Sequence, residues 1–177
     1  DRPDADVDAA VLSGSTASVY WDREWIDDLR SWARTAANAG VPLLGVCFGH
    51  QLLADALGGR VVGRDAYELG YHEVEHVPDS RLFDGVPRTF TAFTAHSDDV
   101  VALPDGADRL AANDYSLHAF RRDRAFGVQF HPEFDLDTAR HVARSRTTSV
   151  ERTPDAAATL TEENYRAARE ATGLFGN

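Results

Sequence analysis

Apolar residues follow two rhythms along this 177-residue chain. In the first third, short unbroken apolar runs alternate with stretches whose apolar positions recur every three or four residues. "DAAVLSG", Asp8 to Gly14, is a run of the first kind and predicts a short buried strand. In the next segment Trp25, Ile26, Leu29, Trp32, Ala33 and Ala36 share one helical face, with Asp22 placed to cap it and Gly40 to stop it. "VPLLGV" predicts a second strand with proline at its edge. "GHQLLADALGG" predicts a second helix, with Leu52, Leu53, Ala56 and Leu57 inward and Gly58 or Gly59 at its end. Strand, helix, strand, helix is the order of a parallel sheet covered by helices.

The rest of the chain changes rhythm. "YHEVEHV" and "RTFTAFTAH" are strand-like, and "LHAFRRDRAFGVQF" predicts a hairpin turning near Arg122 and Asp123. "LDTARHVARSR" predicts a helix, Thr147 to Ala158 a polar loop, and "TEENYRAAREATGLF" a last helix. That helix is capped by Thr161, with Tyr165, Ala168 and Ala171 inward. No repeat and no linker divides the chain, so residues 1–177 are expected to form one domain.

Composition narrows the class. Apolar residues make up 43%, enough for a full core. No apolar run approaches the ~20 residues that span a bilayer, and the acidic start "DRPDADVD" is not a secretory signal. Net charge is -11; the 18 cationic side chains are all arginine, and Asp outnumbers Glu by 20 to 9. Such a surface repels nucleic acid and anionic membranes. Aspartate excess without lysine also fits adaptation to high salt. One cysteine, Cys47, forms no internal disulfide, which points to the cytoplasm. It is therefore either a small buried apolar residue or a nucleophile.

Its setting favours the nucleophile. "GVCFG", residues 45–49, has the form Gly-x-nucleophile-x-Gly, in which a strand turns sharply into a helix and exposes the central side chain. The helix start places unpaired N–H groups and a positive dipole end at the cysteine, which favours a thiolate. The Phe48 N–H is then free to meet a developing oxyanion. Acyl transfer at a thiolate also needs a base. Among seven histidines, His72, His76, His118 and His141 carry no pattern and read as surface residues. His50 reads as a packing residue in the first helical turn. His96, in "AHSDDV", is expected at a strand end bordering a pocket. His131 stands at the tip of the apolar strand "GVQFHPEF", where sites of open α/β sheets assemble. Pro132 turns the chain so that Glu133 folds back on the His131 ring and fixes its tautomer.

"GVCFGHQLLADALGG" together with "GVQFHPEF", in this order, resembles the class I glutamine amidotransferases, the group with a Cys-His-Glu triad. The resemblance runs from "AVLSGS" to "YRAAREATGLF". It implies a three-layer α/β/α, flavodoxin-like domain with a mostly parallel central sheet and a small antiparallel extension. It implies a triad of Cys47, His131 and Glu133, an oxyanion hole from the N–H groups of Phe48 and Ser15, and substrate contacts from Gly14, Gln51, His96 and Ser97. It implies L-glutamine as substrate, no cofactor or metal, and an acceptor-activating synthetase partner. Two departures stand out. The family's Gly-Gly-Pro oxyanion loop aligns with Gly14-Ser15-Thr16, and the strand, helix and strand that usually precede "AVLSG" are not matched here. The expected function is a stand-alone, GMP-synthase-like glutaminase that passes ammonia on. The alternatives are the free glutaminase subunit of a two-subunit GMP synthase, a γ-glutamyl hydrolase, and an idle regulatory subunit.

Overall fold

The computed structural model describes residues 7–78, 80–146 and 156–173. The described residues form one seven-stranded sheet in the order β1-β2-β7-β6-β5-β3-β4. Its parallel part is β1 (Ala10–Leu12), β2 (Leu43–Val46) and β7 (Ala125–Val128). β6 (Leu117–Arg122), β5 (Asp108–Ala112), β3 (Arg60–His76) and β4 (Thr89–Ala102) continue it antiparallel. The sheet is thus mixed, and its antiparallel part is larger than the small extension expected. β5 lies between β6 and β3 and was not foreseen, because "DRLAA" has too little apolar alternation to announce a strand by itself.

Side-chain alternation along the strands feeds two layers. Leu43, Phe120 and Ala125 meet Ile26, Trp32, Leu52 and Leu53 from α1 (Glu24–Asn38) and α2 (Phe48–Ala56). Val46, Val128, Phe130 and Phe90 point to the other face, where Ala171 of α5 (Glu162–Thr172) joins them. Around the β3–β4 hairpin, Leu69, Tyr71 and Phe93 pack against α3 (Leu136–Arg146) and α4 (Ala156–Thr159). Helices therefore cover both faces, as expected for an α/β domain. Thr161 caps α5 by accepting the Asn164 N–H at 3.1 Å. Asp123 turns the β6–β7 hairpin at φ 55°.

Several local expectations change. Asp22 does not cap α1; Arg23 occupies that position without a side-chain bond. The chain is still held in a turn there, with the Trp21 N–H on the Ser18 carbonyl and the Arg30 guanidinium on the Val19 carbonyl at 2.6 Å. Trp25 is half exposed and rests its ring on Phe48, 5.6 Å between centroids. His76 and His118 are buried rather than on the surface. His76 stacks on Phe83, and His118 packs beside Phe130. His96 is inside β4, not at a strand end, because β3 keeps pairing with β4 as far as Ala102. Of the expected loop 147–158, residues 147–155 lie outside the described residues; Ala156 begins α4, whose Thr159 hydroxyl accepts the Tyr71 N–H at 2.9 Å. No helix among the described residues is long and apolar enough to cross a membrane.

Candidate active site

Three parallel strands end at one edge of the sheet, and the candidate residues leave from their tips. Leu12 pairs with Gly45, and Val46 with Val128. The Cys47 N–H extends the second pairing to the Val128 carbonyl at 2.9 Å, and the His131 N–H bonds the Phe93 carbonyl at 2.8 Å. Gly14, Cys47 and His131 therefore converge. A Cβ built on Gly14 would lie 3.2 Å from His131 Cε1 and 3.7 Å from Cys47 Cβ.

Cys47 takes φ 52° and ψ -106°, a left-handed conformation that costs a non-glycine residue roughly 1–3 kcal/mol and clusters at functional sites. The two glycines of "GVCFG" explain how the turn fits. A Cβ on Gly45 would run into the Gly49 carbonyl, and one on Gly49 into the Leu12 carbonyl. The elbow is thus wedged against β1, and Cys47 becomes the N-cap of α2 with the Phe48 N–H at the open first turn.

The His131 ring stacks on Phe134 at 4.2 Å and sets Nδ1 2.8 Å from Glu133 Oε1. A carboxylate accepts only, so Nδ1 carries a proton. Burial opposes charge on this ring. Cys47 and Glu133 more than offset it and push the His131 pKa up to about 9. An imidazolium beside a sulfur nucleophile, steadied by a carboxylate, is an arrangement for acyl transfer.

Beside Cys47 lies a small polar pocket whose walls include Ser15, Thr16, Gln51, Tyr67, His96, Ser97 and Asp98. Five residues expected at the site, Cys47, Ser15, Gln51, His96 and Ser97, share it. Gly14 and His131 stand beside Cys47, Phe48 follows it at the helix start, and Glu133 lies on the Nδ1 side of the His131 ring. Ser15 does not have a positive φ, and its Oγ accepts the Ala17 N–H at 3.1 Å. Tyr20 pins the overlying loop to Asp98 Oδ1 at 3.0 Å. The Gln51 amide nitrogen already donates to the Asp98 carbonyl and to Gln129 Oε1, both at 3.1 Å, so Oε1 is what it offers a substrate. His50 is fully buried against Phe120, as a packing residue.

Sequence reading missed Glu68, Tyr67, Asp98, Gln129 and His118. The first two arise from an irregularity: β3 and β4 pair up to Gly63–Asp98, then resume at Glu68–His96. The bulged residues swing Tyr67 over the pocket and send Glu68 inward. A cavity of about 820 Å³, lined by residues such as Val11, Leu44, Arg121 and Phe126, lies at the opposite end of the parallel strands and touches none of the site.

Similarity to known proteins agrees with this geometry. The family described as "Glutamine amidotransferase class-I" matches residues 2–147, and the chain belongs to it. Over 124 residues it is 42% identical to the glutamine-hydrolyzing GMP synthase of Thermomicrobium roseum, covering 70% of this chain and 23% of that protein. The GMP synthase of Aquifex aeolicus is 35% identical over 126 residues, with 70% and 24% covered. The chain thus spans about a quarter of the length of these relatives. A glutamine amidotransferase from Thermotoga maritima superposes with TM-score 0.76 at 27% identity, over 93% of this chain and 74% of that one. One from Methylobacillus flagellatus shares the fold, with TM-score 0.76 at 24% identity over 92% and 74%.

Proposed function

We propose that this chain is a glutaminase that hydrolyses the side-chain amide of L-glutamine through Cys47, His131 and Glu133 and supplies ammonia to an acceptor on a partner protein. The observation that carries the reading is Cys47 in a strained left-handed turn at a helix start, beside a histidine whose other nitrogen is held by a carboxylate. Cys47 Sγ attacks the amide carbon, and the carbonyl oxygen becomes an oxyanion received by the Phe48 and Ser15 N–H groups. His131 gives its Nε2 proton to the departing nitrogen, and ammonia leaves as a thioester forms. The neutral ring then takes a proton from water, whose oxygen attacks the thioester carbon. Collapse releases glutamate and restores the thiolate and imidazolium. Glu133 holds the ring and is not itself the base.

Among class I members, likeness to the glutaminase region of GMP synthases favours a GMP-synthase-like role. We take the chain as a GMP-synthase-like amidotransferase rather than the subunit of a two-subunit GMP synthase, because "ELGYHEV", residues 68–74, resembles the former group. A halophilic, cytoplasmic setting belongs to the same reading.

A diazoketone analogue of glutamine should label Cys47 once per chain at neutral pH. Cys47→Ala should lose both labelling and ammonia release. Glu133→Gln should keep the fold and lower kcat by about 10²–10⁴. Full ammonia release by Cys47→Ala refutes the mechanism, and a near-normal Glu133→Gln reduces the triad to a dyad.

A further inference from the structure

His96 in the pocket wall belongs to a buried polar cluster with Glu68 and His118 behind it. Glu68 Oε1 accepts from Asn113 Nδ2 at 2.6 Å. Its Oε2 meets His96 Nε2 at 2.7 Å, and Ser116 Oγ and His118 Nε2 at 3.3 Å. On the other side of its ring, His96 Nδ1 meets the Asp98 carbonyl at 3.0 Å.

Counting protons fixes the state of this cluster. A carbonyl oxygen and a carboxylate oxygen both accept. A neutral imidazole has one N–H and one lone pair, so one of the two short contacts of His96 would set lone pair against lone pair. Both contacts are made only if a proton lies on each side of the ring. Burial favours a neutral Glu68, but the hydrogen bonds from His118 and His96 outweigh it and hold the carboxyl well below the usual carboxylate range. Asn113 and Ser116 also donate to the Glu68 oxygens, so Glu68 is the acceptor of the pair and His96 the donor.

A divalent cation is the other way to satisfy two imidazoles and a carboxylate. Ligands at about 2.0–2.1 Å from a tetrahedral zinc lie about 3.3 Å apart. The 2.7 Å between Oε2 and Nε2 is instead a charge-assisted hydrogen-bond length.

The Asp98 carbonyl links this cluster to the site. It accepts from His96 Nδ1 and from Gln51 Nε2. The Gln51 N–H closes the first turn of α2 on the Cys47 carbonyl at 3.1 Å. The same Gln51 amide reaches Gln129 Oε1, and the Gln129 N–H bonds the His118 carbonyl at 2.8 Å. One hydrogen-bonded frame thus joins the elbow helix, the strand leading to His131, and the pocket wall at His96 to Asp98.

We propose that Glu68 and His96 are positioning residues: a buried carboxylate–imidazolium strut that fixes the 96–98 wall of the glutamine pocket against Gln51. The proposal rests on the glutaminase reading for the word glutamine, and on proton counting for the strut. Around the strut stand His118, the Arg64–Asp99 ion pair, Tyr115 edge-on to the His96 ring, the Tyr20–Asp98 bond and neutral His50.

The test has a spectroscopic arm and a kinetic arm. Long-range ¹⁵N–¹H spectra of histidine-labelled wild type at pH 7 should show His96 with both ring nitrogens protonated, assigned by the signal lost in His96→Gln. Glu68→Gln should convert His96 to a singly protonated ring. In steady-state ammonia release, Glu68→Gln should raise KM for glutamine about tenfold and change kcat by less than about threefold, because the reacting groups are untouched. A singly protonated His96 in active wild type overturns the strut, and so does one tightly bound zinc per chain. Equal loss in kcat with unchanged KM overturns its role in binding. A wild type that neither labels nor turns over glutamine overturns the glutaminase reading, which the His96 spectrum tests separately.

Discussion

His50, in the first turn of the elbow helix, has no exposed surface, and its ring packs against Phe120 beside the Gly127 backbone. Burial pulls its pKa from 6.5 down to about 3, helped by His118 and His96 nearby. The sign follows from where the proton goes. The unfolded chain binds it below about 6.5 and the folded chain only near 3. The contribution is whole above pH 6.5 and is lost as pH falls toward 3, at up to about 1.4 kcal/mol per pH unit. Urea unfolding at pH 6.5, 5.5 and 4.5 should show this slope in wild type, and His50→Leu should lose most of it. The same acid slope in both proteins removes the explanation. At this scale, residues whose chemistry depends on near neighbours in sequence were readable. Cys47 announces itself through two glycines and a helix start, and His131 through Pro132 and Glu133 two residues on. Glu68 and His118 were not, because their partners come from other strands and only the register brings them together.

Between β1 and α1 the chain forms the loop that roofs the pocket, with Gly14-Ser15-Thr16 where a Gly-Gly-Pro loop was expected. The loop is tied down by the buried Val19, by Arg30 on the Val19 carbonyl, and by Tyr20 on Asp98. The Ser15 hydroxyl adds a local turn to Ala17. A peptide flip that aims the Ser15 N–H at an oxyanion has to break that turn and lacks the φ freedom of glycine. One missing oxyanion donor costs roughly 10²–10³ in kcat. Basal ammonia release should therefore be slow and rise by about that factor when an acceptor-activating partner docks. Ser15→Gly should raise the basal rate and shrink the stimulation; a fast wild type that ignores the partner shows the loop competent as it stands. Elements with a strong period, α1, α2, α5 and the β6–β7 hairpin, were legible from spacing. β5 and the full length of β3 were not. Their backbones are held by neighbours distant in the chain, and the Gly63–Glu68 irregularity breaks the alternation that would reveal a strand.

The whole molecule carries 29 carboxylates against 18 arginines. Arg30 reaches Asp27 and Asp55, Arg64 reaches Asp99, Arg88 reaches Glu75, and Arg140 reaches Asp137, so part of the positive charge is spent locally. The net -11 is left over, and it acts across the surface rather than in pairs. Charges of one sign repel over about a Debye length, roughly 10 Å at 0.1 M salt and 3 Å at 1 M. Compaction brings them closer than in the unfolded chain, so dilute buffer destabilises the fold and salt relieves it. Exposed ion pairs weaken in salt as well, but each is worth only about 0–1 kcal/mol, so the relief should win. Melting temperature should rise from 50 mM to 2 M KCl. Screening alone saturates within a few hundred millimolar. Adaptation to high salt requires the rise to continue beyond that point. Potassium sulfate at equal ionic strength is the control, because sulfate strengthens apolar burial in any protein. A protein that gains from sulfate and not from KCl has an ordinary acidic surface, and a melting temperature flat or falling in KCl removes the halophilic reading.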